Sequence, residues 1–250
     1  MNAAPNARET LAQEPAEILS VLPQMGRVML IARSGGATHE RIGAVEAVSV
    51  RGTVARVTGK AHDSLLDTSA IAHVVADRTG RMREKSLPRL ECQNVAGETL
   101  CSAIALDGPE LFEQALARFG TGEALAPVED QAPSEWGGVT EVPPDDLGIA
   151  TFAAIRDTGE AIAIELRKPG LVQAWRGLLP SPKLAMGFVN LMQDDFHFHL
   201  KAGAVARWRR GTGAGKVELH GEDSDGIAYG LVLVGTAAAF ANVPSVSGNG

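Results

Sequence analysis

Aromatic residues make up only 4% of this 250-residue chain, and it has just two cysteines. With so few rings, the core must be built chiefly from Ala, Val, Leu and Ile, which the 45% hydrophobic content supplies. Two thiols are too few for a disulfide framework, which fits a reducing compartment. Cys92 and Cys101 sit symmetrically about an expected hairpin turn, yet buried free thiols are the better reading because cross-strand disulfides are strained. Long apolar runs are also missing. The longest, "GLVLVGTAAAFANV", falls short of the roughly 20 residues that a membrane helix needs, so no membrane insertion is expected. The opening "MNAAPNARETLAQEPAEIL" lacks the basic start and apolar stretch of a secretory signal, and the reading is cytoplasmic. Positive charge is scarce: a formal net charge of −7 with only short basic clusters excludes nucleic acid as the main partner. There is no G-x-S-x-G elbow, no H-E-x-x-H and no C-x-x-C. "GTGAGK" at 211–216 lacks the full phosphate-loop pattern and is read as a hairpin loop joining two strands.

What is present is a β-rich pattern punctuated by glycine. Helical spacing in "PAEILSVLPQM", with Pro15 in a first-turn position, gives an opening helical region up to about Met25. From Gly26 onward short β-type runs follow, with "SGG" at 34–36 as a hairpin turn and a second turn around Val95 to Gly97. "PELFEQALARFG" is an amphipathic helix started by Pro109 and stopped by Gly120. From Thr121 to about Asp146 the chain is rich in Pro, Gly and acid and reads as a linker or surface excursion.

The pattern then begins again. "SAIAHVVADRTG" resembles "GAVARWRRGTG", and "LPRLECQNVAGETLCSAIALDG" resembles "GKVELHGEDSDGIAYGLVLVG". An ordered repeat at an offset of roughly 125 to 135 residues means a duplicated domain rather than a solenoid. The expected organisation is a first repeat over 1–125, a linker over 126–146 and a second repeat over 147–250. Helix followed by many consecutive strands gives an α+β class, with two similar repeats that each carry a large antiparallel β-sheet and flanking helices.

Chemistry concentrates in "DDFHFHLKAG", residues 194–203. On a strand His197 and His199 point to the same face, a geometry that can seat a metal. Four-coordinate zinc needs more ligands, and only Asp194 and Asp195 are close in sequence. His39 and His62 are read as solvated, His73 as a buried core histidine and His220 as exposed.

These residues resemble the bacterial haem-utilisation proteins of the HemS and ChuX/HutX group. The likeness lies in "LPQMGRVMLIARSGGATHERIGAVE", in "SLPRLECQNVAGETLCSAIAL" and in "FVNLMQDDFHFHLKAGAVARW". It covers most of residues 17–235 in order and includes the duplication. The resemblance implies a cytoplasmic protein that binds b-type, non-covalent haem or a related tetrapyrrole for uptake, trafficking or storage. It also implies a homodimer and haem-uptake or haem-degradation proteins as candidate partners. His199 stands where the ChuX-like "H-[IL]-K" histidine contributes to haem binding, so it is the candidate ligand of the haem iron. Its counterpart in the first half is Leu65. His197 and His73 stand behind it, Arg89 lies within one residue of a HemS-type distal arginine, and Arg207, Arg209 and Arg33 are candidate propionate partners. Trp208 and Phe198 are candidate porphyrin-lining residues. The HemS-type iron-ligating histidine of "R-D-x-H-D-F-F" is missing from "EDQAPSEWGGVTEVPPDD". A non-enzymatic carrier is therefore preferred over a haem-degrading, iron-releasing enzyme. A haem-free regulatory or interaction module of the same fold is the third reading.

Overall fold

Gly35 and Gly36, both at positive φ (52° and 83°), turn the chain between two eight-residue strands, the geometry that favours a tight right-twisted hairpin. Similar glycine punctuation runs through the computed structural model, which describes residues 6–126 and 141–244. In chain order the elements of the first half are β1 (Arg8–Thr10), α1 (Pro15–Leu19), β2 (Arg27–Ser34), β3 (Ala37–Ala44), β4 (Ala47–Arg51), β5 (Val54–Thr58) and β6 (Asp63–Asp67). They continue with β7 (His73–Asp77), β8 (Arg81–Met82), β9 (Lys85–Ser86), β10 (Arg89–Gln93), β11 (Thr99–Ala105), α2 (Pro109–Leu116) and β12 (Glu123–Ala124). The second half holds α3 (Leu147–Thr158), β13 (Ile162–Lys168), β14 (Leu171–Gly177), β15 (Lys183–Ala185), β16 (Phe188–Gln193), β17 (Phe196–Lys201), β18 (Arg207–Gly213), β19 (Lys216–Glu222) and β20 (Ala228–Gly235).

The described residues form two compact units, and neither is one continuous stretch. The first contains 6–32, 40–126 and 169–172; the second contains 33–39, 141–168 and 173–244. Each unit thus takes in a hairpin tip from the other half of the chain. In the second unit Ser34 Oγ donates to the Tyr229 carbonyl at 2.6 Å and the Lys201 amide to the Gly36 carbonyl at 2.9 Å. In the first, the Asp67 amide donates to the Gly170 carbonyl at 2.9 Å.

In the first unit strands run antiparallel in the order β12-β1-β7-β10-β11-β2, beside a β4-β5-β6 meander. The second unit repeats this plan with β18-β19-β20-β13 and the meander β15-β16-β17. The two structurally similar repeats of the α+β class are therefore present. Of the expected linker 126–146, residues 127–140 lie outside the described residues.

Locally, the opening region is less helical than its spacing suggests: a short strand, one helix of five residues and a 3-10 turn over Leu22–Gln24 replace a continuous helix. Pro23 inside that segment explains part of this, because its ring blocks an α-helical interior. Helix α2 starts at Pro109 as expected, passes into a 3-10 turn and ends at Gly120 (φ 72°).

The two interiors differ. In the first unit, Arg8, Asp77 and Arg89 stand directly opposite one another across β1, β7 and β10. Arg8 reaches Asp77 and Glu91 at 3.3 Å each, and Arg89 reaches them at 2.8 and 2.7 Å. Cys92 and Cys101 face each other across the β10–β11 ladder as buried free thiols. Burial and a mutual hydrogen bond, with the Cys101 contact foremost, push the Cys92 thiol well above the ordinary range. In the second unit the scarce aromatics gather in one place. Trp175 stacks on Phe196 with centroids 4.5 Å apart, and Phe152 meets Phe198 edge-on at 5.9 Å.

Candidate functional site

Strand β17 alternates. Phe196, Phe198 and Leu200 are fully buried, while His197, His199 and Lys201 lie half-buried on the opposite face. The inward ring pair is held by Trp175, Phe152 and His39, so the backbone under the two histidines is anchored by the densest aromatic packing of the unit. Fully burying an aromatic side chain contributes roughly 1.5–3 kcal/mol, and each of these anchors also fixes the strand's register.

Register then assembles the outward face. Asn190 lies opposite His199, Met192 opposite His197 and Phe188 opposite Lys201, and Lys183 and Ala185 extend the same row on β15. This face of the β15-β16-β17 meander carries two imidazoles, an exposed Met192, a half-buried Phe188 and the ammonium groups of Lys183 and Lys201.

The rings of His197 and His199 are 6.1 Å apart, and a ring nitrogen of one lies within 4.8 Å of a ring nitrogen of the other. His199 has a defined orientation. Its Nδ1 is 2.5 Å from Asn190 Oδ1. The Asn190 amide nitrogen donates to the carbonyls of Lys183, Phe188 and Ala185 at 3.1, 3.1 and 3.4 Å, which fixes which end of the amide faces the ring. Nδ1 is therefore the donor, and in the neutral form of the ring the lone pair falls on Nε2, the arrangement that an oxygen partner imposes on ligating histidines.

The equivalent face of the first unit has no such chemistry. There β6 presents Asp63, Leu65 and Asp67, opposite Thr58, Arg56 and Val54 of β5, and Arg56 pairs with Asp63 at 3.3 Å. Leu65, the counterpart of His199, is an exposed leucine.

The remaining expected site residues have other places or partners. His73 is exposed at the first position of β7, in the first unit, rather than buried against the sheet; only the later residues of that strand turn into the core. Arg89 is committed to Asp77 and Glu91. Arg207 and Arg209 both grip Glu222, through Nε at 2.7 and 2.8 Å respectively, and these bonds, the Arg207 one foremost, hold the Glu222 carboxyl below its usual range. Arg33 is exposed at the end of β2 in the second unit. Phe198 belongs to the core and not to the open face. Trp208 donates its indole N–H to Thr151 Oγ1 at 2.8 Å and so serves α3.

Two other histidines reverse their expected places. His39 has no exposed surface: its Nε2 lies 3.2 Å from the Ile164 carbonyl, and its Nδ1 is 2.9 Å from the Gln173 side-chain amide. His62 is likewise buried, with Nε2 3.0 Å from the Gly43 carbonyl. Sequence reasoning passed over Asn190, Met192 and Phe188. The signal was available, since residues opposite a His-x-His strand across a tight turn share its face.

Comparison with known proteins gives the following. Residues 2–108 match the domain family described as "Haemin-degrading HemS.ChuX domain". The fold is similar to that of ChuS, described as an E. coli haem oxygenase: TM-score 0.73, 19% identity, covering 92% of this chain and 83% of that one. It is equally similar to that of apo-PhuS, described as a haem-binding protein from Pseudomonas aeruginosa: TM-score 0.72, 18% identity, covering 92% and 82%. No curated protein matches the chain.

Proposed function

We propose that this chain, whose residues 2–108 match the haemin-degrading HemS.ChuX domain model, binds haem non-covalently with His199 as the imidazole ligand of the iron. The observation that carries this reading is the His199–Asn190 contact at 2.5 Å, which orients the ring and, in the neutral form, makes Nε2 the ligating nitrogen. The donor set fits the group: an oriented imidazole for iron, Met192 and Phe188 for one porphyrin face, and Lys183 and Lys201 as cations for propionates. Bound haem supplies an iron centre whose redox and ligand chemistry its surroundings tune. The chain's part is to hold it: Asn190 fixes the imidazole, and the buried rings of Phe196 and Phe198 keep the strand from shifting.

A carrier role in uptake, trafficking or storage is favoured over porphyrin cleavage. All six histidines lie at 39, 62, 73, 197, 199 and 220, so the connecting region has none to serve as the HemS-type ligand. Arg89, the candidate distal arginine, is held by two carboxylates. The relatives of this fold include one described as a haem oxygenase and one described as a haem-binding protein, and the second role suits this residue set better. We further propose that the chain arose by duplication into repeats over 1–125 and 147–250, and that it works in the cytoplasm, where its facing thiols stay reduced.

Titration of purified protein with hemin tests the reading. A Soret shift that saturates near one haem per chain is expected, weakening about tenfold or more in His199→Ala. A wild type without a saturable shift would overturn it. Bleaching of the bound Soret band by ascorbate with iron release would instead establish the enzyme.

A further inference from the structure

The neighbour of His199 has no role in the haem reading, yet it stands in a chelating position. We infer that His197 and His199 together bind one divalent first-row transition ion, with Asn190 as the residue that positions the His199 lone pair. This does not depend on haem binding.

Three observations carry it. First, the two residues are i and i+2 on β17, so both imidazoles leave the same face, and the anchored Phe196, Phe198 and Leu200 on the other face hold that register. Second, a ring nitrogen of each lies within 4.8 Å of the other. Two nitrogens sharing an ion at about 2.0–2.1 Å each stand up to about 4 Å apart, so a modest side-chain rotation closes the chelate. Third, His199 already has the partner of a ligating histidine: Nδ1–H donates to an oxygen whose own amide is fixed by three backbone carbonyls.

Two imidazoles with oxygen donors completing the shell suit a tetragonal nitrogen–oxygen site, for which Cu²⁺ is the strongest-binding probe in the divalent series.

The test uses Cu²⁺ alone on full-length protein, by calorimetric titration and electron paramagnetic resonance. The expected result is one ion per chain with a nitrogen-coupled signal from two imidazoles. His197→Ala and His199→Ala should each weaken binding on the order of 100-fold, the loss of a chelate arm. Asn190→Ala should weaken it about 10- to 100-fold, as loss of an orienting partner does. A His73→Ala/His220→Ala double variant should bind as the wild type does. His199→Gln, with circular dichroism of every variant, guards against a folding defect. Binding at wild-type affinity in both single histidine variants, or no saturable stoichiometry, would overturn the inference. Hemin titration of the same proteins separates it from the haem reading. His197→Ala should keep its hemin and lose its ion, whereas failure of wild type to bind hemin beside intact Cu²⁺ binding would sink the haem reading alone.

Discussion

His39 shows what one buried polar ring demands. With 0% exposure, it places Nε2 against the Ile164 carbonyl and Nδ1 against the Gln173 amide, and it meets Phe196 and Phe198 edge-on. His39→Leu removes those contacts and leaves the Gln173 amide short of an acceptor, at a cost of about 1–3 kcal/mol. The check is the urea midpoint at unchanged m-value. Flanking Glu40 and Arg41 made this position read as solvated, because charge in the sequence does not reveal which strand face is covered. His73, among small apolar neighbours, misled in the opposite sense. Tyr229, the chain's only tyrosine, offers a clean readout. Burial, helped by Asp223 and Asp146, pushes its phenol well above the ordinary value near 10. The unfolded chain ionises first, so the stability from the neutral phenol is complete below about pH 10 and is lost as pH rises beyond it. Phenolate absorbance near 295 nm should therefore appear together with loss of near-ultraviolet dichroism. Phenolate forming near pH 10 in a folded protein would contradict this.

At the scale of strands, register decides which charges are available. Arg89 is legible as a basic residue at a family position, but one of its two partners, Asp77, comes from β7, and Asp77 is shared with Arg8 of β1, 69 residues away in sequence. Burial works against the Asp77 charge, but the Thr79 hydrogen bonds and then Arg89 and Arg8 outweigh it, so the carboxyl sits below its ordinary value. Its contribution is present above about pH 4 and is lost as pH falls through the folded-state value. Asp77→Asn should cost about 3 kcal/mol near neutrality and flatten the acid limb of the stability curve, measured by denaturant titration from pH 2 to 7. Glycine acts at the same scale. A Cβ on Gly230, at φ 94°, would stand 2.0 Å from the Arg167 carbonyl, so Gly230→Ala should destabilise the β13–β20 pair by about 2 kcal/mol or more. Helix α3 was passed over in the sequence although its ends are marked: Asp146 caps it through Ile149 N at 3.0 Å, and Gly159 closes it in the left-handed conformation.

For the whole molecule, the recurrence of the strand pattern was readable because β7, β10 and β11 have counterparts in β18, β19 and β20 in the same order. The placement of 33–39 and 169–172 was not, because the hydrogen bonds that assign them join residues far apart in the chain. The two meanders also differ in their chemistry. One meander ends in Leu65 between two aspartates, and the other carries His197, His199 and Lys201. If the second meander holds haem, hemin at 100 times its dissociation constant adds about 2.7 kcal/mol to unfolding, which raises the melting temperature by several degrees in wild type and less in His199→Ala.

The most direct measurement is the absorption spectrum of hemin bound to wild type and to His199→Gly, without and with free imidazole. Expected are an imidazole-ligated spectrum in wild type, its loss in the glycine variant, and its return when imidazole fills the vacated place. The same spectrum in both proteins without imidazole would contradict His199 as the ligand, and no bound spectrum in wild type would contradict haem binding altogether.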